Sequence, residues 1–140
     1  MRYYGSLQDK ARMNPKYNIW IENDGHVVLS PWRVRLLEKI DELGSISSAA
    51  AALDLQYRRA WERVREIERE LGTPVVVTTI GGHKGGSARL TPGAKDAIRR
   101  FRTFTEGLEA EITRRYTSAY GEPTLGRSRS RRRVQESSEG

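Results

Sequence analysis

The order of breaks between Leu36 and Pro92 constrains this chain more than any other feature. A stretch with helical spacing stops at Gly44-Ser45-Ile46-Ser47. A short alanine-rich segment, Ala49 to Ala52, stops at a turn around Asp54. An arginine-studded stretch then runs from Tyr57 until Gly72 and Pro74, and Gly81-Gly82-His83-Lys84-Gly85-Gly86 precedes Pro92. Each break has a local cause: glycine accepts the positive φ that closes a helix, proline cannot continue one, and serine caps the start of the next. Three helices this short and this closely joined bury their apolar stripes only by crossing one another.

Ser30 and Pro31 supply an N-cap and a first-turn proline, after which Val34, Leu36, Leu37, Ile40 and Leu43 recur at helical spacing. Ser45 or Ser47 can cap the next helix, whose small alanines let a neighbour cross closely. The third helix, expected over 57–71, has its apolar stripe at Ala60, Trp61, Val64, Ile67 and Leu71. Val75 to Thr79 reads as a strand, 81–86 as a flexible loop and Ala88-Arg89-Leu90 as a return strand. Upstream, Lys16 to Asn23 and His26 to Leu29 flank Asp24-Gly25, a hairpin signal that places Tyr17, Ile19 and Ile21 on one face.

Downstream, Thr91 and Pro92 open a long helix with apolar residues at Ala94, Ala97, Ile98, Phe101, Phe104, Leu108, Ile112 and Tyr116. That stripe is longer than so small a domain needs for its own core, so a second copy is its expected partner, with Ile98, Phe101, Phe104, Leu108, Ile112 and Tyr116 at the contact. The expected fold is mostly α with small β: a winged helix-turn-helix with an N-terminal β-hairpin and a long C-terminal dimerisation helix. The divisions are an arm over 1–15, the domain over 16–119 and a basic tail over 120–140. The tail holds five arginines between Arg127 and Arg133 and almost nothing that can be buried.

Lys and Arg number 25 against 18 Asp and Glu in 140 residues, a net charge of +7 that favours a polyanionic partner through counterion release. The absence of cysteine excludes disulfides, thiolate metal sites and thiol nucleophiles. No run approaches the ~18 apolar residues of a membrane span, and the N-terminus lacks a signal-peptide apolar core. The expected location is therefore cytoplasmic and nucleoid-associated. His26 and His83 stand far apart, without an acidic cluster beside either, and no nucleophile–base constellation emerges. Neither enzyme activity, nor a metal, nor a cofactor is expected.

The candidate binding residues gather at the start of the third helix and in the glycine loop. If Trp61, Val64 and Ile67 face inward, then Tyr57, Arg58, Arg59, Glu62 and Arg63 lie on or beside the opposite face, near the end that reaches base edges when such a helix enters a major groove. Arginine pairs with guanine through two hydrogen bonds. The bland alternative, a solvated face laced with Glu/Arg pairs, suits the second half of this helix, where Arg65, Glu66, Glu68, Arg69 and Glu70 mix signs, better than the first. Ser47 and Gln56 sit at the starts of the second and third helices, and His83, Lys84 and Arg89 belong to the wing, where they would meet flanking phosphates. Double-stranded DNA is the expected partner, bound by a homodimer that regulates transcription. The alternatives are an architectural protein that coats DNA with little sequence preference, and a winged-helix protein-interaction module.

The stretch from Leu36 to Gly93 resembles the N-terminal DNA-binding domain of ModE-type, molybdate-responsive regulators, which share their winged helix with the LysR family. The resemblance rests on Leu36-Leu37-Glu38-Lys39-Ile40, Gly44-Ser45-Ile46-Ser47, Ala49-Ala50, Tyr57-Arg58-Arg59-Ala60-Trp61, the Gly81 to Gly86 wing and Leu90-Thr91-Pro92-Gly93. It implies a dimeric transcriptional regulator whose third helix enters the major groove. Gln56 departs from the serine frequent in the family. The sequence after the long helix has no room for the family's C-terminal oxyanion-binding domains, so molybdate binding is not expected.

Overall fold

The computed structural model describes residues 13–80 and 86–121. In chain order these form β1 (Ile21–Asn23), β2 (His26–Leu29), α1 (Pro31–Leu43), α2 (Ile46–Ala52), α3 (Tyr57–Leu71), β3 (Val76–Thr79), β4 (Ser87–Leu90), α4 (Pro92–Thr105) and α5 (Leu108–Tyr120). The architecture is mostly helical with two small antiparallel hairpins, β1–β2 and β3–β4, in a winged helix-turn-helix arrangement. Local chemistry sets the boundaries. The Ser30 hydroxyl accepts from the Arg33 N–H at 3.1 Å to open α1, and Gly44 closes it at φ 80°. Of the two serines available for α2, Ser45 is the cap, accepting from the Ser48 N–H at 3.0 Å. The α2–α3 turn passes through Asp54 at φ 56°, a conformation that aspartate adopts more readily than most residues.

The core lies where α1, α2 and α3 cross. Leu36, Leu37 and Ile40 of α1 and Val64 and Ile67 of α3 have no exposed surface, and the α2–α3 crossing is lined by Ala49, Ala50 and Ala60, none more than 2% exposed. Each fully buried Leu, Ile or Val side chain contributes about 1.5–3 kcal/mol relative to an exposed one. The β3–β4 hairpin is fastened to this core at its base. The Ala88 N–H donates to the Gly44 carbonyl at 2.7 Å, the Leu90 N–H to Asp41 Oδ1 at 3.1 Å and the Val75 N–H to Glu68 Oε2 at 2.9 Å. At its outer end a Cβ on Gly86 would stand 2.7 Å from the Thr79 carbonyl oxygen, so that pairing requires glycine.

Two expectations are corrected. The first strand of the upstream hairpin spans Ile21–Asn23 rather than starting at Lys16, and its register slips between Ile21 and Glu22. Only the β2 side, through Val28 and Leu29, packs into the core, whereas Tyr17 and Ile21 stay exposed. The C-terminal helical run is present but divided. Glu106 leaves helical geometry and Gly107 takes φ 81°, so α4 ends with the compact unit Tyr17–Gly107 while α5 belongs to a second unit. Among the described residues no helix is long and apolar enough to cross a membrane.

Candidate nucleic-acid interface

Helix α3 presents its side chains by period. Ala60, Val64 and Ile67 are completely buried, which turns Arg58 and Arg59 outward with 91% and 60% of their side chains exposed. Glu62 stands 4.0 Å from Arg58 Nε and 3.8 Å from Arg59 Nη1, at the outer limit of ion pairing. Contacts of that length between solvated groups are weak, screened by salt and readily exchanged for a phosphate. Ser47, Gln56 and Tyr57 are exposed beside them. Gln56 makes no side-chain cap bond at the N-terminus of α3, where the helix dipole favours anions. Trp61 is half-buried against the core. The Tyr57 ring meets it edge-on at 6.4 Å and the Arg65 guanidinium lies 5.6 Å from its ring centre, so it acts as a pedestal under the exposed end of the helix.

Arg63 departs from the expectation that grouped it with Arg58 and Arg59. Only 15% of its side chain is exposed, and its Nη1 donates to both carboxylate oxygens of Glu66, at 3.0 and 3.2 Å. Glu66 in turn accepts from Arg33 Nη2 at 2.9 Å, and the Arg33 side chain is 7% exposed. This cross-link between α1 and α3 was not read from the sequence, because Arg33 lies 33 positions from Glu66 and nothing local signals their meeting.

The wing closes one side of a groove of about 600 Å³ against α2 and α3. Ser45, Ser47 and Ser48 line it from α2, Tyr57 and Trp61 from α3, and Thr78, Thr79 and Ser87 from the wing. The wall is rich in hydroxyls, which donate to phosphate oxygens without adding charge. These serines and threonines were visible in the sequence, but long-range hydrogen bonds, from Ala88 to Gly44 and from Leu90 to Asp41, hold the wing beside them. On β4, Arg89 is exposed between buried Ala88 and Leu90. His83 and Lys84 lie outside the described residues.

Two arginines of α4 are more firmly engaged. Arg100 Nε donates to Asp96 at 2.8 Å and Arg99 bonds the same carboxylate. The hydrogen bond from Arg100 is the main cause that holds the Asp96 carboxyl below its ordinary range. Among the proposed dimer contacts, Ile98 and Phe101 are 8% and 5% exposed within the protomer's own core, a correction to the expectation that they face a partner. Phe104 is half exposed, and Leu108, Ile112 and Tyr116 share one face of α5, a helix with no buried residue. Among the described residues no group of three acidic or histidine side chains forms a metal position.

A short buttressing helix, a basic exposed helix end and a hairpin folded beside it define a winged helix-turn-helix. Residues 32–95 match the bacterial regulatory helix-turn-helix proteins of the lysR family. The chain's curated relatives are ModE and Mop proteins. "Molybdenum transport protein ModE" of Azotobacter vinelandii is 31% identical over 94 residues, covering 67% of this chain and 35% of that protein. "Molybdenum-pterin-binding protein MopB" of Rhodobacter capsulatus is 40% identical over 76 residues, 54% of this chain and 28% of that one. "Transcriptional regulator ModE" of Haemophilus influenzae is 34% identical over 67 residues, 48% and 26%. The chain spans about a third or less of the length of these relatives.

Proposed function

We propose that the chain binds duplex DNA sequence-specifically as a homodimer and regulates transcription, with 16–119 as the working domain, 1–15 as an arm and 120–140 as a basic tail. The observation that carries the reading is the exposed end of α3, where Arg58 and Arg59 are paired only loosely beside a groove rich in hydroxyls. In the bound state Arg58 and Arg59 read base edges or the nearest phosphates. Ser47, Gln56, Tyr57 and Glu62 frame that contact, and His83, Lys84 and Arg89 hold the flanking backbone. Phe104, Leu108, Ile112 and Tyr116 bury their apolar faces against the second copy. An isolated helix of 13 residues is marginal in water, which supports a partner for α5.

The test is selection from a random duplex library at about physiological salt, followed by titration of the winner against a scrambled duplex. A palindromic motif bound about 10³-fold above the scramble supports the reading. Equal, steeply salt-dependent binding to both duplexes would transfer the assignment to an architectural DNA-binding protein, and absence of binding would overturn the DNA reading.

A further inference from the structure

We infer that Glu66 is a positioning residue that keeps Arg63 off the nucleic-acid face and so limits how strongly α3 grips any duplex, whatever its sequence. The inference rests on the duplex-binding reading above. One carboxylate receives guanidiniums from two helices, Arg63 of α3 at 3.0 Å and Arg33 of α1 at 2.9 Å. The side chains of Arg33, Arg63 and Glu66 are 7%, 15% and 30% exposed, so their attraction is screened less than that of the solvated Arg58 and Arg59 pairs. Held from both sides, the carboxylate follows neither cation alone, and Arg63 is thereby fastened to α1 as well as to its own helix.

Arg63 stands four residues, about 6 Å along the axis, beyond Arg59. Released, its long side chain reaches toward the same DNA backbone. A phosphate contact there adds affinity for every sequence alike, because phosphates carry no base information. The like charge of Arg33 reinforces this outcome, since without the carboxylate the two guanidiniums repel each other. The ion triad therefore lowers the sequence-independent part of the affinity by withholding a cation and leaves the base-reading residues untouched.

The test compares the salt dependence of binding to the selected and scrambled duplexes for the full chain, E66Q, R63M and the double variant E66Q/R63M. Glutamine keeps the shape of Glu66 and removes its charge. In E66Q the slope of log K against log salt steepens by roughly 0.9 on both duplexes, the value of one added phosphate contact, and the preference for the selected duplex is unchanged. R63M alone leaves slope and preference unchanged, and the double variant returns to the parental slope. A parental slope in E66Q overturns the inference, as does a steepening that persists in the double variant, because the lost negative charge would then be its source. If E66Q does not fold, R63M still decides: a slope lower by roughly 0.9 would show Arg63 already on DNA. Failure of the unsubstituted chain to bind either duplex overturns the DNA reading and this inference together, whereas the other failures leave that reading standing.

Discussion

Helix α3 pairs an arginine with the glutamate three residues later at Arg59–Glu62 and again at Arg63–Glu66, and these two pairs behave differently. Arg59 and Glu62 meet at 3.8 Å with 60% and 49% of their side chains exposed, while Arg63 and Glu66 meet at 3.0 Å with 15% and 30% exposed. Spacing and chemistry are identical, so neither accounts for the difference. The second pair lies on the side that faces α1, where Arg33 approaches and exposure to solvent is reduced. The first lies on a side that no described element covers. Helical spacing makes a pair possible, and its surroundings decide whether it is a fixed element of the fold or a loose contact that a phosphate replaces.

Breaking the shared support beneath both pairs has the largest expected effect. Ile67→Ala removes a fully buried side chain and destabilises the domain by about 2–5 kcal/mol, read from the shift in the denaturation midpoint. Next comes the exposed pair: Arg59→Ala lowers discrimination at one base position by about 1–3 kcal/mol and changes unfolding free energy by no more than about 0.5 kcal/mol. A stability loss without a change in base preference would reverse the contrast between the two pairs. Lys84→Ala, in the wing, weakens binding to all sequences alike and lowers the salt slope by about 1, with base preference intact.

The smallest effect concerns α5, whose ion pairs are wholly solvated. Hydrogen bonds from Arg114 and then Arg115 hold the Glu111 carboxyl at about 2, below its ordinary 4.5. A carboxyl depressed in the folded state stabilises above its ordinary value and loses that contribution as pH falls through the depressed one. Helical ellipticity of the chain should therefore exceed that of Glu111→Gln by a constant amount down to pH 4.5, and the gap should close between there and about pH 2. High salt should narrow it at every pH. A gap independent of pH would remove Glu111 from the account.

Much of the fold was legible because its signals are local. Ser30-Pro31, Gly44, Gly72 and Thr91-Pro92 punctuate the helices where the structure starts and stops them, since caps and left-handed closures involve residues within one turn. Gly107 carries the same information, but apolar residues at helical spacing on both sides of it mask the break in the sequence. The outward direction of Arg58 and Arg59 was also legible, because it follows from burying Ala60, Val64 and Ile67 at helical period. The hydroxyl groove was not, because its walls come from three separate segments spread between Ser45 and Ala88 that meet only on folding.

The sequence by itself determined the order of helices and hairpins, the apolar face of each helix and the basic start of α3, because periodicity, capping and charge are properties of neighbouring residues. Only the tertiary structure decided which elements cover those faces. It placed Ile98 and Phe101 in the protomer's own core, withdrew Arg63 onto Glu66 and Arg33, and left Arg58 and Arg59 open. A stripe or a charge specifies what a surface needs, whereas burial depends on which distant segment arrives to meet it.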